Sequence, residues 1–224
     1  MLVTVIIRQL QAKMLKIIEQ LKEGLPSDCF SDTELINLLS GSKDRRYGLV
    51  KRAIASGELI HLKKKLYCIA EKYRKKALNL FEIAQRLYGP SYISLESALS
   101  YHGWIPEAVY TTTSACMNRS KFFNTPIGVF SFSHVSASVF FAMVDRIVLG
   151  NDCFFMARPW RAIADYIQVY KKDWKGINAL IENLRIEEDL IRQANLDELD
   201  ETECFYKSVR VSAFFKSLKK EIKK

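Results

Sequence analysis

Two cationic runs are the residues whose types and spacing speak most directly of chemistry. GSKDRRYGLVKRAI, over 41–54, holds Lys43, Arg45, Arg46, Lys51 and Arg52, and a second run is Lys63-Lys64-Lys65. Clustered ammonium and guanidinium groups bind phosphate, because each neutralised phosphate releases condensed counterions. Arginine adds a planar fork that fits the edge of a guanine. A solvated helix face is the plain alternative for any such charge run. Other reactive types are scattered. Cys29, Cys68, Cys116, Cys153 and Cys204 form no Cys-x-x-Cys pair, and His61, His102 and His134 stand apart, so no zinc site is expected. Nothing sets a base beside Ser114 or Cys116, although His134 lies in the same region. Asp173-Trp174-Lys175 supplies half of a nuclease motif, but at a helix end rather than on a strand. No GxSxG, GxxxxGK[ST], GxGxxG or HExxH run occurs. The chain is therefore read as non-enzymatic, with no catalytic residue, metal or cofactor.

Positioning the cations requires a folded frame, and composition supplies one. With 224 residues and 49% hydrophobic content, the chain has enough apolar surface for one large or two modest cores. The formal charge of +9 is uneven: residues 1–89 hold 17 Lys/Arg against 9 Asp/Glu, the remainder 17 against 16. A basic first domain, 1–89, followed by a second, 90–224, is the expected division. No apolar run approaches the roughly 20 residues a membrane span needs, so no membrane partner is expected. MLVTVII opens without a cationic region or cleavage site, which predicts no secretory signal and a cytoplasmic location.

Within 1–89 the periodicity predicts three helices and a hairpin. Leu10, Met14, Ile17, Ile18 and Leu21 make one stripe over 8–23, stopped by Gly24 and Pro26. Ser31-Asp32-Thr33-Glu34 is a capping box opening a short helix over 32–39. A third helix is expected from about Ser42 to Ser56, closed by Gly57. At 100° per residue Tyr47, Val50 and Ile54 share a face, taken as the core; Arg45 and Arg52 then point outward, with Arg46 and Lys51 flanking and Lys43 in the first turn. Gly48 inside that helix costs about 1 kcal/mol against Ala, which close approach to phosphate or to another helix would explain. Residues 59–62 and 66–69 read as a hairpin with a lysine tip. This layout is that of a winged helix-turn-helix, in which the third helix enters the major groove of double-stranded DNA and the tip rides on phosphate. The expected DNA contacts are Ser42, Lys43, Arg45, Arg46, Lys51 and Arg52 from the helix and Lys63, Lys64 and Lys65 from the tip. A basic helix over 72–88, with Ala77, Leu80, Phe81, Ala84 and Leu87 inward, leads to the boundary at Gly89-Pro90.

Beyond Pro90 a mixed α/β domain is expected: a helix over 95–102, strands over 109–113, 121–124, 127–133, 139–148 and 153–156, and a helix from Pro159. Arg161 and Asp165 are spaced for an i, i+4 pair worth a few tenths of a kcal/mol. The rest is expected to be helical throughout. Its acids concentrate in 182–203 and its cations in 204–224, which either pair with each other or present a partner-binding surface.

The runs PSYISLESALSYHGWIPE, VYTTTS, NTPIGVFSFSH and MARPWRAIADYI resemble, in order and spacing, the AbiEi antitoxins of bacterial type IV toxin-antitoxin systems. The resemblance covers about Cys29 to Tyr170. It implies an α+β chain, with an N-terminal winged helix-turn-helix followed by a mixed α/β antitoxin domain and a C-terminal helical segment. It also implies an autorepressor that binds promoter repeats and counteracts a nucleotidyltransferase-type toxin without a stable complex. Trp160 stands where the family tends to carry an acidic residue after the proline, so any contact of that carboxylate is lost. Two other readings follow from the residues: a winged-helix adaptor docking a protein through 182–203, and a ligand-sensing regulator whose aromatic-rich second domain holds an effector.

Overall fold

A computed structural model describes residues 18–74, 76–136, 140–193 and 195–223. The protein is a mixed α+β chain that divides into two compact units, Met1–Asn79 with Gly150–Asp152 and Leu80–Leu149 with Cys153–Lys224.

In the first unit, residues 18–24 are helical (α1) and bury Ile18 and Leu21; Leu10, Met14 and Ile17 of the expected stripe lie outside the described residues. β1 (Cys29–Ser31) runs into α2 (Asp32–Leu38) through the predicted capping box. The Ser31 hydroxyl accepts the Glu34 amide at 3.3 Å, while Glu34 Oε2 accepts the Ser31 amide at 2.7 Å. α3 (Lys43–Ala55) starts at Ser42, whose hydroxyl accepts the Arg45 amide, and ends at Ser56, with Gly57 at φ 69°. β2 (Leu59–Lys63) and β3 (Leu66–Ile69) are antiparallel, and β1 pairs with the other side of β3. Val50 and Ala53 of α3 pack with Ile18, Leu21, Phe30, Leu35, Leu39, Leu59 and Ile69 as one core.

The helix expected over 72–88 does not form in one piece. A 3₁₀ turn covers Glu71–Tyr73, Ala77 is exposed, and α4 is confined to Leu80–Leu87. A start at Lys72 would set Lys72, Arg74 and Lys76 against the positive end of the helix dipole; the observed start places Glu82 there instead. α4 buries Ile83, Ala84 and Leu87 against the second unit's sheet, so the division falls before Leu80 rather than after Gly89.

The second unit is built on six strands: β4 (Ser91–Ile93), β5 (Thr111–Cys116), β6 (Lys121–Thr125), β7 (Gly128–His134), β8 (Val144–Leu149) and β9 (Asp152–Ala157), in the order β6-β7-β5-β4-β9-β8. β5 pairs parallel with β7 and β4 parallel with β9, while β4–β5 and β6–β7 are antiparallel. β5 begins two residues later than expected, leaving Tyr110 90% exposed. β8 begins at Val144 rather than near 139, because residues 140–143 form a turn with Met143 at φ 56°. α5 (Leu95–Tyr101) and α6 (Pro159–Val169) pack on each other. The C-terminal part is four helices rather than one run: α7 (Asn178–Leu184), α8 (Glu188–Arg192), α9 (Leu196–Phe205) and α10 (Val209–Ile222). Arg185, at φ 53°, ends α7.

Trp160 is buried edge-on against Trp104, with ring centroids 4.7 Å apart, and packs on Phe215 of α10. The indole there joins α6 to α10 through Phe215. Arg161 and Asp165 are 1% and 0% exposed, so the pair is buried rather than on the surface. Asp165 also accepts the hydroxyls of Tyr92 at 2.8 Å and Ser94 at 2.6 Å, and Arg161 donates to the Tyr92 oxygen and the Ala142 carbonyl. This network ties the PSYIS block to the RPWRAIAD block.

Candidate nucleic-acid interface

α3 and the β2–β3 hairpin carry the cations singled out in the sequence. Lys43, Arg45, Lys51 and Arg52 are exposed on α3, and Lys64 and Lys65 form the two-residue hairpin loop. Lys65 sits in the left-handed region at φ 67°, a conformation costing a side chain about 1–2 kcal/mol. Its carbonyl accepts the Asp32 amide at 3.1 Å, which anchors the tip to the start of α2.

The rotation of α3 differs from the expected one. Tyr47, expected in the core, is 68% exposed. The buried arc runs through Val50 and Ala53, with Ile54 half-buried beside them. Ala53 is a small residue that the apolar pattern passes over, yet it is 1% exposed and belongs to the core. The outward ridge therefore carries Arg45, Tyr47, Gly48, Lys51 and Arg52. A Cβ on Gly48 would meet only Arg52 Nη1, at 3.5 Å, an ordinary contact. Nothing inside the fold demands a glycine there.

The remaining expected contacts have local duties. Ser42 is the helix cap, and the Arg46 guanidinium donates to the Gly41 carbonyl, drawing it away from the ridge. Lys63 is half-buried within β2, beside a register shift between His61 and Lys63. Tyr67 of β3 packs against Phe30 and His61. Burial, then the charge and hydrogen bond of Asp32, push its hydroxyl up to about 12, and Tyr47 adds to the effect.

Both units carry exposed cations, and several of those in the second unit are paired with carboxylates. Among the described residues, no ion pair is recorded for Lys43, Arg45, Lys51, Arg52, Lys64 or Lys65, whereas Arg158, Arg161, Arg185, Arg192, Arg210 and Lys219 are all paired with carboxylates. Lys219 bridges Asp200 and Glu203, so the acidic and basic C-terminal blocks meet each other. That meeting removes part of the acidic surface on which an adaptor would depend.

The other reactive types have structural surroundings. Cys116 and His134 occupy facing positions on β5 and β7, and each bonds to the Asn118 carbonyl. Burial pushes the Cys116 thiol up to about 11, opposite to the shift that makes a thiolate nucleophile. Asp173 pairs with Arg210 in the segment between α6 and α7. Among the described residues no His, Cys, Asp or Glu cluster has the geometry to hold a metal, and no helix is long and apolar enough to cross a membrane. Set against models of known families and against curated proteins, the chain matches none.

Proposed function

We propose that the first unit is a winged helix-turn-helix that binds double-stranded DNA, with α3 as the recognition helix and Lys64-Lys65 as the wing tip. The observation that carries this reading is the set of exposed cations on α3 and the hairpin that lack carboxylate partners, around a glycine no internal contact requires. Unpaired cations on one surface favour phosphate. Arg45 and Arg52 are the groove residues, Lys51, Lys64 and Lys65 the backbone contacts, and Gly48 the point of closest approach.

The four blocks resembling AbiEi antitoxins support a fuller role. The chain is proposed as an antitoxin that represses its own promoter and opposes a nucleotidyltransferase-type toxin in the cytoplasm, without enzymatic activity of its own. The neighbouring reading frame tests that part. A nucleotidyltransferase encoded there should arrest growth when expressed alone and cease to do so with this protein present. Arrest that persists would defeat the antitoxin role while leaving DNA binding to stand or fall separately. For DNA binding, the three phosphate contacts of Lys51, Lys64 and Lys65 predict a log–log slope of affinity on salt of about −3. A flat salt response would defeat it.

A further inference from the structure

The second unit holds a cleft of about 480 Å³ between α5, the 105–111 segment, β7 and the end of α6, lined by Glu96, Ile105, Glu107, Phe122, Tyr166 and Tyr170 among others. Its volume lies within the range of small-molecule sites, roughly 300–1,000 Å³. Two features distinguish it from a surface dent. Glu96 Oε2 and Glu107 Oε2 are both shut off from solvent without a hydrogen-bond donor. The other oxygen of each is engaged: Glu96 Oε1 accepts the Tyr170 hydroxyl at 3.0 Å, and Glu107 Oε1 pairs with Arg185. Each carboxylate is thus fixed through one oxygen while the other has no donor within the fold, and the charge of Glu107 is shared with Arg185.

The aromatic wall is equally fixed. The Tyr166 and Tyr170 rings meet at 4.5 Å and 62°, and Tyr166 is stacked on Trp174 at 5.4 Å and 22°. Burial first, then the Glu96 charge, raises both tyrosine hydroxyls, so the rings stay neutral. Phe122 stands 62% exposed at the rim. A carboxylate oxygen without a donor favours a cation that can donate to it, and aromatic faces attract the same charge.

We propose that this cleft binds a small organic cation, an ammonium or guanidinium group on a flat apolar body, with Glu96 and Glu107 taking the charge and Tyr166, Tyr170 and Phe122 the body. This site is independent of the DNA surface.

Calorimetric titration of the full chain with benzylamine, benzamidine and the neutral benzyl alcohol tests it. Both cations should bind at least about tenfold more tightly than the alcohol, a difference of about 1.4 kcal/mol. Glu96→Gln and Glu107→Gln should each weaken the cations about fivefold or more and leave the alcohol unchanged, since only the charged form gains from the carboxylates. If Glu96→Gln lowers the melting temperature sharply, Glu107→Gln, with its side chain 38% exposed, carries the comparison. Equal affinity for benzyl alcohol, undiminished cation binding in both variants, or no heat from either cation at about 20 mM, well beyond the weak end of specific binding, overturns the proposal. Tighter binding of a capped Gly-Arg-Gly peptide than of benzamidine would also overturn it, assigning the cleft to a protein side chain.

Discussion

Arg45 and Arg46 are adjacent in the sequence and differ in almost everything that matters here. Arg45 lies on the ridge of α3, while Arg46 bonds to the Gly41 carbonyl. Arg46→Ala should therefore loosen the start of α3 more than it weakens DNA, a contrast that paired melting and binding curves would expose. Gly48→Ala should act with opposite signs on fold and function. The helix gains up to about 1 kcal/mol, and the added methyl, which meets only Arg52 inside the fold, stands off the DNA backbone and lowers affinity. A stabilised variant with unchanged affinity would remove Gly48 from the interface. Lys65→Gly should relieve the left-handed strain of about 1–2 kcal/mol, offset in part by the greater backbone entropy a glycine loses on folding. The same change should weaken all duplexes alike and reduce the salt slope by about 1. Asp165 belongs to a different class of residue. Removing it as Ala strands a guanidinium that is 1% exposed, together with two hydroxyls, so urea unfolding should show a loss of about 3–5 kcal/mol. A loss below about 1 kcal/mol would mean the network is not formed.

The elements of the first unit could be read from local chemistry, because their signals are local. The capping box, the Gly57 stop and the period change at Leu59 each act within a few residues, and α2, α3 and the hairpin lie where those signals place them. The rotation of α3 could not be read so directly. Tyr47 outweighs Ala53 in any apolar count, but the face of α3 that packs into the core is the one carrying Val50 and Ala53, and tertiary packing overrides the count. The break before α4 has the same kind of cause, since an apolar stripe from Ala77 onward ignores the dipole cost of the cations at its start. In the second unit the i, i+4 spacing of Arg161 and Asp165 was visible. Their burial was not, because Tyr92 and Ser94 arrive from some seventy residues away and only the sheet brings them in. The cleft was invisible for the same reason. Its two carboxylates come from α5 and from the segment after it, and its tyrosines from α6.

Across the molecule, the overall charge of +9 comes mainly from residues 1–89, where Lys and Arg outnumber Asp and Glu by 17 to 9. Burial also sets the alkaline limit of the fold. Cys116 ionises near 9 when unfolded and near 11 when folded, and Tyr67 near 10 and 12, so each loses its proton first in the unfolded chain. Stability is full below about pH 9 and falls as pH rises through the folded values, by linkage. Melting temperatures should drop steadily from about pH 9 upward, and less steeply in Cys116→Ala. The central claim is that α3 reads DNA. The most direct test is fluorescence anisotropy of a duplex selected by this protein from a randomised pool, compared with an unrelated duplex, for the native chain and Arg52→Ala. The account predicts a loss of about 1–3 kcal/mol on the selected duplex and little on the other. Equal losses on both, or failure of the protein to enrich any sequence, would contradict it.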